Sequence, residues 1–413
     1  MVMRKIWNLV GIMLVMMLVM LVSSCDDLFG EQDKPTPTEE TTPQPPAQSI
    51  SFAESEKWWG TKDGKFTLVV TNTGDGVVTY SSSDPSVASV DPTTGEVTPG
   101  DVAATDVVPV VITATVADSE NATYPTKTAQ YTLKVGKGYR YLIWDDTNKK
   151  LVYDIDDPAS DNDFIDSSTG AAAKLASGGA VKFVKGHVTI SGGVTIPQNL
   201  LLVLLDDAEL EINGKLEAKS SANLSITAQS EGDNKGEFVV KNTGTAIICR
   251  KGMNIYGGKI TAEVTMGING GHGINVDNYP LNIYGGDVTA KAGNIMSSSS
   301  GYHGISGTSA KVLITGKAIL TATGGNSSSG WAGCGIYADV TVSGEAKFTA
   351  IGGTGTPNGH GMSGTLTNES SAPVVFETSS DGATWDGSYT LSAGSSARIG
   401  STAALQKRGV RKL

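Results

Sequence analysis

The chain has 413 residues, a formal charge of −11 and a pI near 4.9. It offers no basic stripe to neutralise phosphates, so nucleic acid is excluded as a partner. With three cysteines it has no disulfide framework either, and its fold must rest on packing.

Arg4 and Lys5 precede an apolar run from Ile6 to Val22 that ends in Val22-Ser23-Ser24-Cys25. A basic start, an apolar core and small residues before the cut predict a secretory signal over residues 1–24. A retained span is the rival reading, since the run is almost long enough to cross a bilayer. Val-Ser-Ser-Cys resembles a bacterial lipobox, which implies acylation of Cys25 as the mature N-terminus. Asp26-Asp27 resembles the acidic export signal of surface lipoproteins in Bacteroidota-type bacteria; in enteric bacteria an aspartate there implies retention at the inner membrane. The resemblance implies a lipid-anchored, surface-exposed protein of the outer membrane that touches the membrane only through its lipid. Residues 25–48, rich in Pro, Thr, Glu and Gln from Glu31 onward, bury too little to offset their ordering entropy and read as a solvated tether.

Residues 49–137 alternate in short runs separated by turn clusters: "TLVV" (67–70), "GVVTYSSS" (76–83), "VPVVITATVA" (108–117) and "AQYTLKV" (129–135). Such spacing predicts a β-sandwich. The stretch Ser83-Asp84-Pro85-Ser86-Val87-Ala88-Ser89-Val90-Asp91, followed by Gly95-Glu96-Val97, resembles the group 2 bacterial immunoglobulin-like domains of intimins and other surface proteins. That resemblance implies an Ig-like β-sandwich acting as spacer or adhesion module; a single copy behind a tether reads as a spacer.

From residue 138 the rhythm changes. An alternating triplet with a nearby glycine recurs as Val188-Thr189-Ile190, Leu210-Glu211-Ile212, Met253-Asn254-Ile255, Leu281-Asn282-Ile283, Val312-Leu313-Ile314 and Val340-Thr341-Val342. A second strand follows each of the last four, as "KITA", "DVTA", "ILTA" and "KFTA", and a third opens at "GINV" and "GIYA". Three short strands per repeat with glycine corners predict one coil of a parallel β-helix. The expected fold is therefore all-β, an Ig-like sandwich followed by a right-handed parallel β-helix over 138–413 with N- and C-terminal caps. Helical periodicity is confined to a short cap around Ala171–Ala176, and the basic cluster Lys407 to Lys412 reads as a frayed tail. The entry segment 178–212, with its "VTIPQNLLL" step, resembles the opening coils of pectin-lyase-like β-helices.

Three of the four histidines share one frame: Gly271-His272-Gly273-Ile274, Tyr302-His303-Gly304-Ile305 and Gly359-His360-Gly361-Met362, with Cys334 in a fourth copy. Stacked coils would align His272, His303, Cys334 and His360 in a column at the ~4.8 Å strand step. Parity points these side chains inward or to a corner before the strand. A straight column does not converge on a tetrahedral metal, and no carboxylate belongs to the frame, so the column reads as structural, a stack of polar side chains satisfying backbone groups at a turn where glycines permit the corner. The repeats at 240–365 resemble β-helical carbohydrate-binding domains of some clostridial and Bacteroidota proteins. The acidic residue that precedes Gly-Ile in those domains is here histidine or cysteine, so no cofactor is expected, with calcium left open.

The repeats hold few acids, and these fall in different frame positions, so the paired carboxylates that lyase or glycosidase chemistry needs do not form a column. The acid-rich 145–166 segment and Asp206-Asp207 read as a solvated first coil. No catalytic residue is expected. The outward positions of the twice-repeated "NIYGG" suit sugars: Asn254, Tyr256, Asn282 and Tyr284 offer amides beside aromatic faces. The expected function is a surface lipoprotein that binds a polysaccharide or surface glycan through its β-helix. A protein-binding adhesin or structural stalk is the alternative, and a polysaccharide lyase or hydrolase comes third.

Overall fold

The computed structural model describes residues 48–413 apart from 75, 104–105, 118–125, 178–179, 266–269, 297–300 and 400–406. The signal segment, Cys25 and all but the last residue of the tether lie outside the described residues. Described strands dominate, and a single α-helix, Ala171–Ser177, buries Ala171 and Leu175.

Between Ile50 and Gly136 the strands pair in small, mostly antiparallel sheets. Glu56–Gly60, Lys127–Gly136, Val107–Val116 and Val78–Ser82 make a four-stranded sheet, and Phe66–Thr67, Glu96–Pro99 and Ala88–Val90 a three-stranded one. Trp59, Val97, Ile112, Tyr131 and Leu133 share a core between them. The expected strand "TLVV" is divided. Phe66–Thr67 and Val70–Asn72 join different sheets, because Leu68 turns inward while Val69 is exposed.

Beyond residue 164 the chain winds into a parallel, β-helix-like coil with three strand faces. In one coil, Val194–Ile196 lies on the first face, Leu200–Leu204 on the second and Glu209–Asn213 on the third. Each pairs in parallel with its equivalent one coil later, at Leu216–Ala218, Leu224–Ala228 and Glu237–Asn242. Period-2 alternation explains why this sequence can stack so. The second face carries Met253, Leu281, Val312 and Val340 in one inward column and Ile255, Ile283, Ile314 and Val342 in the next. All eight are fully buried. The recurring triplets divide between two faces. Val188–Ile190 and Leu210–Ile212 belong to the third face, continuing into Phe238, Ile260, Val288, Leu320 and Phe348.

Outside, the third face carries rungs of opposite charge: Lys241–Glu211 at 2.7 Å, Lys259–Glu237 at 2.6 Å and Lys291–Glu263 at 2.7 Å. Each is solvated and contributes roughly 0–1 kcal/mol. They suit the register of a polar surface more than its stability.

The last coil is closed by antiparallel strands. Gly409–Lys412 pairs with Lys347–Ile351 and with Val374–Ser379, so the basic C-terminus is a sheet strand and not a frayed tail. Val410 is buried, and Arg411 reaches Glu377 at 2.6 Å. At the end of the isoleucine column stands Asn368, fully buried, whose Nδ2 donates to the carbonyls of Ala372, Leu391 and Ser392. An apolar column thus ends on a satisfied polar group.

The N-terminal sheets and the coil share a buried polar joint. Asp63 accepts from Gly60 N and from Gln229 Nε2, each at 2.7 Å. Arg140 Nε stands 3.3 Å from Asp63 Oδ2, an ion pair without hydrogen-bond alignment, and the guanidinium lies 3.9 Å over the Trp59 ring. Burial pushes the Asp63 carboxyl up to about 6 and the Arg140 charge opposes it, so at neutral pH the carboxyl remains ionised.

Candidate functional site

The run Tyr139-Arg140-Tyr141-Leu142-Ile143-Trp144-Asp145 and the run Lys150–Asp156 form an antiparallel hairpin of their own. Its turn is built by Asp145, whose Oδ1 accepts from the amides of Thr147 and Asn148, while Asn148 Nδ2 donates to Oδ2 at 2.6 Å. These bonds, that of the Asn148 side chain foremost, hold the Asp145 carboxyl below the usual carboxylate range. Residues 145–156 of this acid-rich stretch are therefore part of a hairpin laid over the second face, whereas Phe164–Ile165 at its end pairs in parallel into the first coil. Thr227 Oγ1 donates to Leu142 O at 2.5 Å, and Tyr141 and Leu142 are buried.

The hairpin packs against the first glycine of each "NIYGG" copy. A Cβ on Gly257 would meet Leu142 Cδ1 at 3.0 Å, and one on Gly285 would meet Leu151 Cδ1 at 2.7 Å. At Gly285 the adjacent coil closes in as well, since the same Cβ would meet Tyr256 O at 2.6 Å.

Asn254, Tyr256, Asn282 and Tyr284 stand side by side on this second face, one coil apart. Asn282 Nδ2 donates to Asn254 Oδ1 at 2.9 Å, and Asn254 Nδ2 to Ser225 Oγ at 3.3 Å. The amides are thus largely engaged with each other. The Tyr256 and Tyr284 rings stack at 5.3 Å and 11°, and Trp144 of the hairpin stacks on Tyr284 at 4.7 Å and 26°. The expected open aromatic platform is instead a three-ring pile capped by the hairpin. In the next two coils the column continues as Thr315 and Ser343, whose hydroxyls meet at 2.7 Å, Ser343 donating.

Where the rings give way to hydroxyls, a cleft of about 740 Å³ opens. Its floor is Tyr284, Thr315 and Ser343, and the hairpin contributes Trp144, Asp146 and Lys149. The opposite wall comes from Glu369–Ala372 and Lys412 of the closing segments. Burial pushes the Tyr284 phenol up to about 12, with Tyr256 adding to the effect, so it stays protonated as donor and acceptor. Lys412 Nζ donates to Gly344 O at 3.0 Å, and burial holds its pKa below the ordinary lysine value. Tyr256 lines a separate groove of about 390 Å³ on the other flank of the hairpin.

The histidine column lies elsewhere, at the corner before the first face. His303 N donates to His272 Nδ1 and Cys334 N to His303 Nδ1, each at 2.9 Å. The two imidazoles stack at 5.3 Å, and His303 stacks on Tyr337 at 4.7 Å. Burial holds both rings down to about 4. Gly304 follows in a space where a Cβ would meet Thr323 N at 2.6 Å and Gly335 O at 2.7 Å, so only glycine lets the corner close. Cys249 and Cys334 are free and buried, three coils apart, their thiols pushed up to about 12 and about 11. Among the described residues no group of three histidine, cysteine or acidic side chains could hold a metal ion.

A scan against protein-family models finds no match for this chain, and a search of curated proteins finds none either.

Trp144, Glu369, Ser370 and Ser371 are among the cleft residues that sequence reasoning did not pick out, and Asp146 and Lys149 lay in the segment read as a solvated first coil. Only Trp144 left a signal, as an aromatic on the alternating run 139–145. The pairing of that run with 150–156, and its docking 140 residues away in sequence on Tyr284, needs the fold to be seen.

Proposed function

We propose that the protein binds a polysaccharide or surface glycan in the cleft between the hairpin and the second face. A sugar presents C–H faces and neutral hydroxyls, and a site for it needs ring walls beside neutral donors and acceptors. The observation that carries this reading is the Trp144–Tyr284 stack at the edge of a cleft floored by Thr315 and Ser343. Because Ser343 donates to Thr315, the Thr315 hydroxyl keeps its own proton for a ligand. In this reading the strands between 50 and 136 are an Ig-like spacer. A lipid on Cys25 holds the protein at the outer membrane, facing outward.

A glycan array with the purified protein, run with and without calcium, tests the proposal. Trp144→Ala combined with Tyr284→Ala should abolish binding of every glycan the wild type retains, while the β-sheet circular dichroism is unchanged. Affinity that survives the double change would put the ligand elsewhere. Binding should also depend little on salt, because stacking and neutral hydrogen bonds carry it.

A further inference from the structure

A second groove, of about 420 Å³, opens at the corner between the first and second faces. Tyr337 lines it, 37% exposed, one ring face held by His303. Asp339 lies beside it, its Oδ1 fixed by Thr365 N at 2.7 Å. Arg398, from a closing strand, is exposed on the far side and pairs with no carboxylate among the described residues.

One strand joins this groove to the cleft. In Ile336–Val342 the residues Ile336, Ala338, Val340 and Val342 are buried, so Tyr337, Asp339 and Thr341 face out, and Ser343 continues their row. Tyr337 and Asp339 line the corner groove, Ser343 lines the cleft, and Thr341 stands between. Six residue steps at ~3.3 Å span at most about 20 Å. The charges at each end also cancel. Asp146 and Glu369 face Lys149 and Lys412 in the cleft, and Asp339 faces Arg398 in the groove.

We propose that the two depressions are ends of one binding track, and that its ligand is an extended neutral polysaccharide lying along this strand. The inference rests on the glycan reading of the cleft and adds the length and charge class of the ligand. An aromatic ring at each end supplies stacking, the threonine and serine row supplies hydroxyls, and neither end selects for net charge.

Titration calorimetry with cello-, laminari-, manno- and xylo-oligosaccharides, each as disaccharide and hexasaccharide, tests it. For the backbone that binds, the hexasaccharide should bind roughly tenfold tighter or more than the disaccharide. Tyr337→Ala with Arg398→Ala should remove that gain and leave the disaccharide affinity unchanged, whereas Trp144→Ala should weaken both. Arg398→Ala alone, an exposed change, should remove part of the gain even if Tyr337→Ala unsettles the His303 stack. A hexasaccharide that binds no tighter than its disaccharide, or a gain that survives both changes, overturns the track and leaves the cleft standing. No binding by the wild type at either length overturns both.

Discussion

At the scale of single residues, the histidine frame shows how polar groups are used inside a solenoid. His272 and His303 each offer an unprotonated Nδ1 to the backbone amide of the next coil, so each ring satisfies a donor that the corner leaves unpaired. Their pKa near 4 lies below the unfolded value of 6.5. The unfolded chain therefore binds more protons between these values, and the rings' contribution to stability is full above pH 6.5 and lost as pH falls toward 4. His303→Asn keeps an acceptor that does not titrate. Denaturant unfolding of this variant should lose about 1–2 kcal/mol at pH 7.5 with the ring stacking. It should lose less additional stability than the wild type on going to pH 5. An equal acid loss in both proteins would contradict the ladder. The repeating frame was legible in sequence. So was its use to satisfy backbone groups at a turn; that Nδ1 is the accepting atom was not.

At the scale of elements, the hairpin at 139–156 is what turns a plain sheet into a cleft. Beyond its buried base at Arg140, Tyr141 and Leu142, it is held by the Trp144 stack and by the leucines over Gly257 and Gly285. Gly257→Ala, whose new methyl meets Leu142 Cδ1 of the hairpin first, should push that leucine away and cost about 1–2 kcal/mol locally. Hydrogen exchange should then quicken in 139–156 while the buried strands Leu281–Ile283 and Val312–Ile314 keep their protection. Unchanged exchange in the hairpin would show that the leucine contact does not hold it. The coil elements were legible because triplets such as Leu281-Asn282-Ile283 repeat a strict alternation. Misread elements are those whose partners lie far off in sequence. The hairpin read as part of a solvated first coil because Asp145, Asp146 and Lys149 crowd its turn. Gly409–Lys412 looked like a tail because only Val410 is apolar there, and its buried place depends on Ala350 and Thr378 across two pairings.

At the scale of the whole molecule, the N-terminal sheets and the coil are joined through a few buried polar groups. Arg140 reaches Asp63, donates to Trp58 O at 3.2 Å and covers Trp59, so one side chain serves both halves of the joint. Arg140→Met would strand a buried carboxylate and should cost about 3–5 kcal/mol. Asp63→Asn in the same background should recover part of it, and thermal unfolding of the two variants checks both. A single mild loss in Arg140→Met would mean that solvent reaches the joint. Nothing in the sequence singled out Asp63, which sits in an ordinary Thr-Lys-Asp-Gly turn.

The central claim is that the ligand lies between the hairpin and the second face. Hydrogen exchange with and without the neutral oligosaccharide that scores highest on the array tests it most directly. The account predicts added protection in 144–149, 313–316, 341–344 and 369–372, with the third face unchanged. Protection confined to the third face, or absent everywhere at saturating ligand, would contradict it.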